Sequence, residues 1–196
     1  MGIYTLSFLD SCVPLRSDGK PIENPLDCIA DHHLAERQVC AEIDRIAHGD
    51  GHGGGNAADS ENLADVIRFL SVELPIHLQD EAEDLFPTLR ARCEPEDEID
   101  RIIDRLSAEH AHSGTERETV LSVLRGQQRP GAELSDADRA ALTDFAAHAR
   151  RHLIFENAIV MPIARVRLSS ADLARMRQRM MQRRQRYWIG EDRDAE

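Results

Sequence analysis

The sequence predicts an all-α protein: an antiparallel four-helix bundle with an irregular N-terminal arm and a short C-terminal helix. Alanine, leucine, arginine and glutamate, which favour helices, are abundant, whereas aromatic residues make up only 4% of the chain. Apolar residues recur at intervals of three and four over four long stretches joined by short links. Long amphipathic helices with short links are typical of antiparallel bundles. The 196 residues are enough for one domain with a buried core.

The first long helix is predicted from Pro25 to about His48. Asn24 is a good helix start, because its capping side chain precedes a first-turn proline. The glycine-rich stretch 49–55 ends the helix. We interpret it as a flexible linker, since it lacks the Lys-Ser/Thr and the preceding strand of a phosphate loop. Residues 1–24 lack helical periodicity and form the predicted arm. The stripe of the helix comprises Ile29, His33, Cys40, Ile43 and Ala47.

The second helix is predicted from about Ser60 to Arg92. Pro75 lies inside its periodic pattern and is expected to kink the helix just before His77 or to split it. Pro87 is expected to end or bend the following turn. The stripe comprises Ile67, Leu70, Leu74, His77, Glu81, Leu85 and Leu89.

Three further helices are predicted. The third begins near Pro95 with an acidic first turn and ends before a loop at 126–131. The fourth begins at the capping residue Ser135, and the fifth runs from Ser169 to about Trp188. The predicted organisation is an arm over 1–24, a bundle over 25–188 and a tail over 189–196. The stripes of the third and fourth helices comprise Ile99, Ile103, Leu106, His110, Ser113, Val120 and Leu124, and Phe145, Ala149, His152, Glu156, Ile159 and Ile163.

Composition excludes several functions. The formal net charge of −12 argues against broad nucleic-acid binding, which needs a basic face. We expect no signal peptide and no membrane segment, because no apolar run approaches the required length of about 18 residues. The four scattered cysteines, with no CxxC spacing, indicate reduced thiols in a cytoplasmic protein: Cys12, Cys28, Cys40 and Cys93.

The C-terminal stretch 165–186 is rich in arginine. It could contact an acidic partner, but a solvated helix face that balances an acidic bundle is the favoured interpretation. Met176, Met180 and Met181 fall partly at helical spacing and are predicted to pack on the bundle.

One short phrase occurs twice, at residues 77–87 and 152–162. In both copies an acid follows the histidine by four residues and a proline follows it by ten. Residues four apart share one face of a helix, so each phrase places an imidazole beside the carboxylate of Glu81 or Glu156. The spacing alone is common, and His32 and His112 also precede an acid by four. Repetition with matching prolines makes this pair of phrases distinctive.

The paired residues lie on the apolar stripes, and each of the four long helices carries one stripe histidine. Because an unpaired buried carboxylate is costly, this placement predicts a bound metal. Imidazole and carboxylate ligands suit iron, manganese or zinc. Six ligands exceed one tetrahedral zinc site and suit two metals with a position open to a small molecule. The predicted ligands are His33, His77, Glu81, His110, His152 and Glu156.

Over residues 25–188 the chain strongly resembles the hemerythrin-like (HHE cation-binding) domain proteins. This resemblance implies a four-helix bundle around a non-haem di-iron centre. It implies that the four stripe histidines bind two iron ions and that Glu81 and Glu156 bridge them. The motifs that carry it are Asp31-His32-His33 with Arg37 and Cys40; Glu73-Leu74-Pro75-Ile76-His77 with Glu81 and Leu85-Phe86-Pro87; Glu109-His110; and His152 with Glu156-Asn157 and Pro162-Ile163-Ala164.

The chain departs from the oxygen-carrying members of that family at two points. Gly114 stands where they carry a second third-helix histidine, and Glu156 follows its histidine by four residues rather than five. The pattern resembles more closely the four-histidine, two-glutamate bacterial di-iron proteins that repair iron–sulfur clusters and respond to nitric oxide. Their usual N-terminal cysteine-bearing module is not seen here.

Several alternatives stay open. His32 competes with His33 as the first-helix ligand, and the stripe favours His33. His148 could be a fifth ligand, although a place at the rim is favoured, and Glu109 could orient a ligand imidazole. The resemblance implies binding of, or reaction with, oxygen, nitric oxide or peroxide. The alternative function is a metal-dependent regulatory or interaction module without turnover.

Overall fold

The computed structural model describes residues 23–49, 57–129 and 131–191, and about 90% of them are helical with no strand among them. The predicted all-α class is therefore confirmed. Nearly all of the predicted arm, the glycine-rich linker and the end of the predicted tail lie outside the described residues. No helix in the described ranges has the length and apolar character to span a bilayer. The α-helices are α1 Pro25–His48, α2 Ala57–Arg68, α3 Leu74–Asp80, α4 Phe86–Arg92, α5 Ile99–Gln127, α6 Asp136–Phe155, α7 Met161–Arg167 and α8 Ser170–Glu191.

Polar side chains cap the starts of α1 and α6, where the sequence predicts helix starts. The amide of Leu26 donates to Asn24 Oδ1 at 3.0 Å, which caps α1. At the start of α6, Ser135 and Asp138 form a reciprocal capping box. The third long helix begins later than predicted, because Pro95–Asp97 forms a separate 3-10 turn that ends at Glu98 with φ 49°. This left-handed residue separates the turn from α5.

Three π-helical segments interrupt the second and fourth long helices: π1 Phe69–Glu73, π2 Glu81–Leu85 and π3 Glu156–Val160. Each is followed by one residue and then a proline. A proline ring has no N–H to donate and clashes with the carbonyl four residues before it, so the turn widens to i→i+5 bonds. The amide of Phe86 accordingly donates to the carbonyl of Glu81. The helix thus continues through Pro75 by a widened turn and does not split there.

The π3 segment changes which residues are buried after Glu156. The predicted stripe includes Ile159 and Ile163, which an ordinary α-helix would bury. Both residues are only partly buried. Val160 and Ala164 are buried instead. The extra residue in the widened turn moves the following residues forward by one position, which explains why this part of the predicted stripe was wrong.

The described chain forms two compact units. The first comprises residues 23–35, 76–103 and 157–191, and the second comprises 36–49, 57–75, 104–129 and 131–156. Each unit has a buried apolar core of its own. In the first unit the core includes Ile29, Leu85, Leu89, Ile103, Ala164, Met176 and Met180, and in the second it includes Ile43, Leu70, Leu106, Leu121, Leu124, Leu142 and Ala146.

Candidate metal centre

The first unit brings together His33, His77 and Glu81, which we call the first ligand set. Glu81 Oε1 lies 3.4 Å from His33 Nε2 and 3.6 Å from His77 Nε2. The two imidazole rings stand nearly perpendicular, with centroids 5.0 Å apart. Two nitrogens and one oxygen therefore converge on one point, with all three ligand atoms within 4.8 Å of one another.

The ring orientation of His33 suits metal binding. Its Nδ1 lies 3.3 Å from Asn157 Oδ1, an oxygen that only accepts hydrogen bonds. This contact favours a proton on His33 Nδ1, and in that tautomer the lone pair of Nε2 points toward His77 and Glu81. Metal-binding histidines in proteins usually donate their other ring N–H in this way. The sequence analysis quoted Asn157 within a family motif but gave it no role.

His32, which competes with His33 as the first-helix ligand, is also buried. Its ring stacks on that of His77, with centroids 4.4 Å apart and 11° between the planes. Burial, Arg184 and His33 lower the pKa of His32 to about 3, which keeps the imidazole neutral at physiological pH. Both histidines of the pair thus face the same region of the first unit, with His33 closer to Glu81.

The second unit brings together His110, His152 and Glu156, the second ligand set. The two Nε2 atoms lie 2.9 Å apart. Glu156 Oε1 lies 3.2 Å from His152 Nε2 and 3.8 Å from His110 Nε2. This set repeats the chemistry of the first one, because two Nε2 atoms and one Oε1 atom converge again.

The Glu109 carboxylate orients His152 through the ring nitrogen that does not face the second ligand set. Glu109 Oε2 accepts from His152 Nδ1 at 2.9 Å, and Arg105 Nε donates to Glu109 Oε1 at 2.8 Å. Partial burial would raise the pKa of Glu109, but the hydrogen bonds from His152 and Arg105 outweigh it, so the pKa lies below its ordinary value. The carboxylate is ionised at neutral pH and can only accept. His152 therefore carries its proton on Nδ1 and presents Nε2 to the second ligand set.

The remaining histidines of α5 and α6 lie outside this set. His148 Nδ1 contacts Glu116 Oε2 at 2.9 Å, and His112 Nε2 lies 3.4 Å from Glu116 Oε1. His112 is 71% exposed. His148 is about one-quarter exposed, and its contact with Glu116 favours the rim position over a fifth-ligand role.

Two buried acids beside the first ligand set were not singled out from the sequence. Asp80 and Asp84 are both fully buried. They contact Arg183, which is buried together with Arg184 on α8. The prediction of a solvated arginine face is therefore wrong for these two arginines. Met176 and Met180 are buried as predicted, whereas Met181 is only partly so.

The donor chemistry of both sets fits a transition-metal ion. Imidazole nitrogens with a carboxylate oxygen are ligands that iron, manganese and zinc accept. In each set one histidine has an acceptor at its Nδ1, Asn157 Oδ1 for His33 and Glu109 Oε2 for His152, which favours Nε2 as the metal-binding atom of these two residues. Glu81 and Glu156 are buried, and a bound cation would stabilise their negative charge.

The fold and these two sets define an all-α protein of the metal-binding class. The sequence model of the hemerythrin HHE cation-binding domain family matches residues 24–164, and the chain belongs to this family. The predicted resemblance and the hemerythrin-like fold class are thereby confirmed, and cation binding is the family's shared property. The match ends before α8 begins. No curated protein matches the chain.

Proposed function

We propose that this chain is a non-haem di-iron protein that binds or reacts with oxygen, nitric oxide or peroxide. The observation that carries the proposal is the repeated donor set: two histidine Nε2 atoms and one glutamate Oε1 atom in each unit. Each set would hold one iron ion, and manganese or zinc would suit the same ligands. The iron would supply electrons and a coordination position for the small molecule. The bridging role that the resemblance implies for Glu81 and Glu156 stays a prediction.

The two sets differ in exposure. The imidazoles of His33 and His77 are 2% exposed, whereas those of His110 and His152 are 11% and 10% exposed. A small ligand would therefore reach the second set more easily, and the first set would hold its ion away from water. This asymmetry supports a function in which one ion stays fully ligated and the other meets the exogenous ligand.

Gly114 offers a route to the second set. It lies one turn after His110 on α5, on the same face of the helix. A Cβ atom built at Gly114 meets no atom of the described residues within 4 Å. The space beside Gly114, one turn from His110, is therefore open to a small molecule.

The physiological role within this class is one of four: sensing, scavenging, iron handling or iron–sulfur repair under nitrosative or oxidative stress. A cytoplasmic location is part of the proposal. Reversible reaction of the reduced protein with oxygen or nitric oxide would indicate a carrier or sensor, whereas irreversible reaction would indicate a redox enzyme.

The experiment is anaerobic loading with ferrous iron, followed by absorption spectra after exposure to oxygen and, separately, to nitric oxide. We expect new visible absorption with at least one gas, and we expect His77→Ala and Glu156→Ala to abolish it. Gly114→Leu should retain iron but slow the spectral change, because leucine would fill the open space. Gly126→Leu is the matched control, since Gly126 also lies on α5 with open space at its Cβ.

The alternative of a metal-dependent regulatory module predicts a different result. Iron would then load and stabilise the fold, but neither gas would change the spectrum. A chain that takes up no metal would overturn both functions.

A further inference from the structure

The buried side chains of α8 change from apolar to charged between Met180 and Arg183. Met176, Met180, Arg183 and Arg184 lie at helical spacing, and all four are buried. From Met176 onward, two apolar side chains are therefore followed by two guanidinium groups at 5% and 4% exposure. Arginine is rarely buried to this degree unless it is paired.

Two carboxylates that are 0% exposed, Asp80 and Asp84, pair with these arginines, and Arg183 also contacts the exposed Glu83. Arg183 donates to Asp80 Oδ1 and, at 3.0 Å, to Asp84 Oδ2. Arg184 Nη2 lies 2.5 Å from Asp80 Oδ2. Arg179 contacts Asp84 as well. We call Arg179, Arg183 and Arg184 the arginine clasp.

The clasp holds the turn that carries a predicted metal ligand. Asp80 directly precedes Glu81, and Asp84 lies in π2, the widened turn that begins at Glu81. His77, Asp80, Glu81 and Asp84 follow the spacing i, i+3, i+4, i+7, which places them along one side of the helix. The two ligands and the two clasped acids therefore belong to the same short segment.

We propose that Arg183 and Arg184 are positioning residues for the first ligand set, so that α8 completes the metal centre although it lies outside the family domain. The arginines fix Asp80 and Asp84, and this fixes the place of the Glu81 carboxylate between His33 and His77. Loss of the clasp leaves two buried acids without their cations, and the turn must shift to bring them to water. Metal affinity of the first set falls as a result. This inference rests on the proposed function.

The matched control is another ion pair that ties α8 to the same unit. Arg92 on α4 donates to both carboxylate oxygens of Asp172 at 3.0 Å, near the start of α8. Arg92 lies at the end of α4, beyond the turn that begins at Glu81, and Asp172 lies near the start of α8, before the clasp. Its removal should loosen α8 without changing the turn that holds the ligand.

The experiment measures two ferrous-iron affinities per chain by anaerobic competition with a coloured chelator, with melting temperatures in parallel. In Arg183→Gln we expect one of the two affinities to fall about 10- to 100-fold, the range typical when a group supporting a ligand is lost. The other affinity should stay unchanged. Arg92→Gln should lower the melting temperature but leave both affinities intact. Arg183→Lys should restore part of the affinity, because the positive charge returns without the forked geometry.

The outcomes separate this inference from the proposed function. Wild-type protein that takes up no iron would overturn the proposed function and this inference with it. Normal wild-type loading with unchanged affinities in Arg183→Gln, or equal losses in Arg183→Gln and Arg92→Gln, would overturn the positioning role alone. If Arg183→Gln does not fold, the paired change Asp80→Asn with Arg184→Gln replaces an ion pair by neutral groups of similar shape. A fall in one affinity in that variant supports the clasp, and two wild-type affinities refute it.

Discussion

Replacement of Glu109 tests whether the second ligand set is built to hold a metal. Glu109 accepts one charge-assisted hydrogen bond from His152 Nδ1 at 2.9 Å. A hydrogen bond of this kind contributes about 1.5–3 kcal/mol, and loss of such a supporting group weakens metal binding about 10- to 100-fold. The Glu109 side chain is 23% exposed, so solvent screening places the effect near the lower end. We therefore expect about a tenfold loss of affinity, or about 1.4 kcal/mol, in Glu109→Gln.

The assay is a two-site titration of the iron-free protein with ferrous iron in the presence of a competing chelator. Glu109→Gln should weaken one site only, and Glu109→Ala should weaken it further because no acceptor remains. Glu116→Gln is the matched control, since Glu116 also lies on α5 and also accepts from a histidine Nδ1 at 2.9 Å, that of His148. Equal losses in the variants at Glu109 and Glu116, or no loss in either, would refute the assignment of His152 as a ligand oriented by Glu109.

Three further predictions concern stability and reactivity. Removal of iron should lower the free energy of unfolding by about 2.7 kcal/mol for each site that was held at a free iron concentration of 100 times its Kd, and equal calorimetric melting with and without iron would contradict this. Hydrogen bonds from Arg92 and Ser169 hold the pKa of Asp172 well below its ordinary value. Wild type should therefore have a larger free energy of unfolding in urea than Asp172→Asn. This difference should be complete above about pH 5 and should decrease as the pH falls below about 4, and a difference that does not change with pH would contradict the prediction. Burial raises the pKa of the Cys40 thiol to about 12; in the folded protein at pH 8 a thiol reagent should label Cys93 while sparing Cys40, as mass spectrometry of labelled peptides would reveal.

Local signals in the sequence were sufficient to place most helix ends. Asn24 and Ser135 begin α1 and α6 because their side chains cap exposed backbone amides, an interaction that needs only neighbouring residues. Pro95 was misleading because it, too, is only a local signal. It does begin a helical turn, but Glu98 adopts a left-handed conformation that nothing in the local sequence indicates.

The repeated histidine phrase predicted the burial of both glutamates, yet it did not predict the π turns that begin at them. Pro87 and Pro162 gave the signal, and we interpreted Pro87 as a residue that ends or bends the turn. A helix can accommodate a proline either by a kink or by a widened turn, and the packing of the residues after the turn decides which of the two forms. The matching offset of the two prolines was the clue that both turns widen alike.

Contacts between residues distant in the sequence could not be predicted from composition. The pairing of Arg183 with Asp80 joins residues 103 positions apart. An arginine on a polar-looking helix is more often solvated, and the burial of Arg183 depends on Asp80 and Asp84, which lie about 100 residues before it in the sequence. The choice between His32 and His33 was similarly undecided, because both prove to be buried and neighbouring positions on α1 reach the same region.

The most direct test of the central claim is the iron content of the protein after anaerobic loading and removal of unbound metal, measured for wild type, His33→Ala and His110→Ala. The two-set account predicts about two iron ions per chain in wild type and about one in each variant, because each variant loses a ligand from a different set. Absence of iron from wild type, a single bound ion, or two ions in both variants would contradict it.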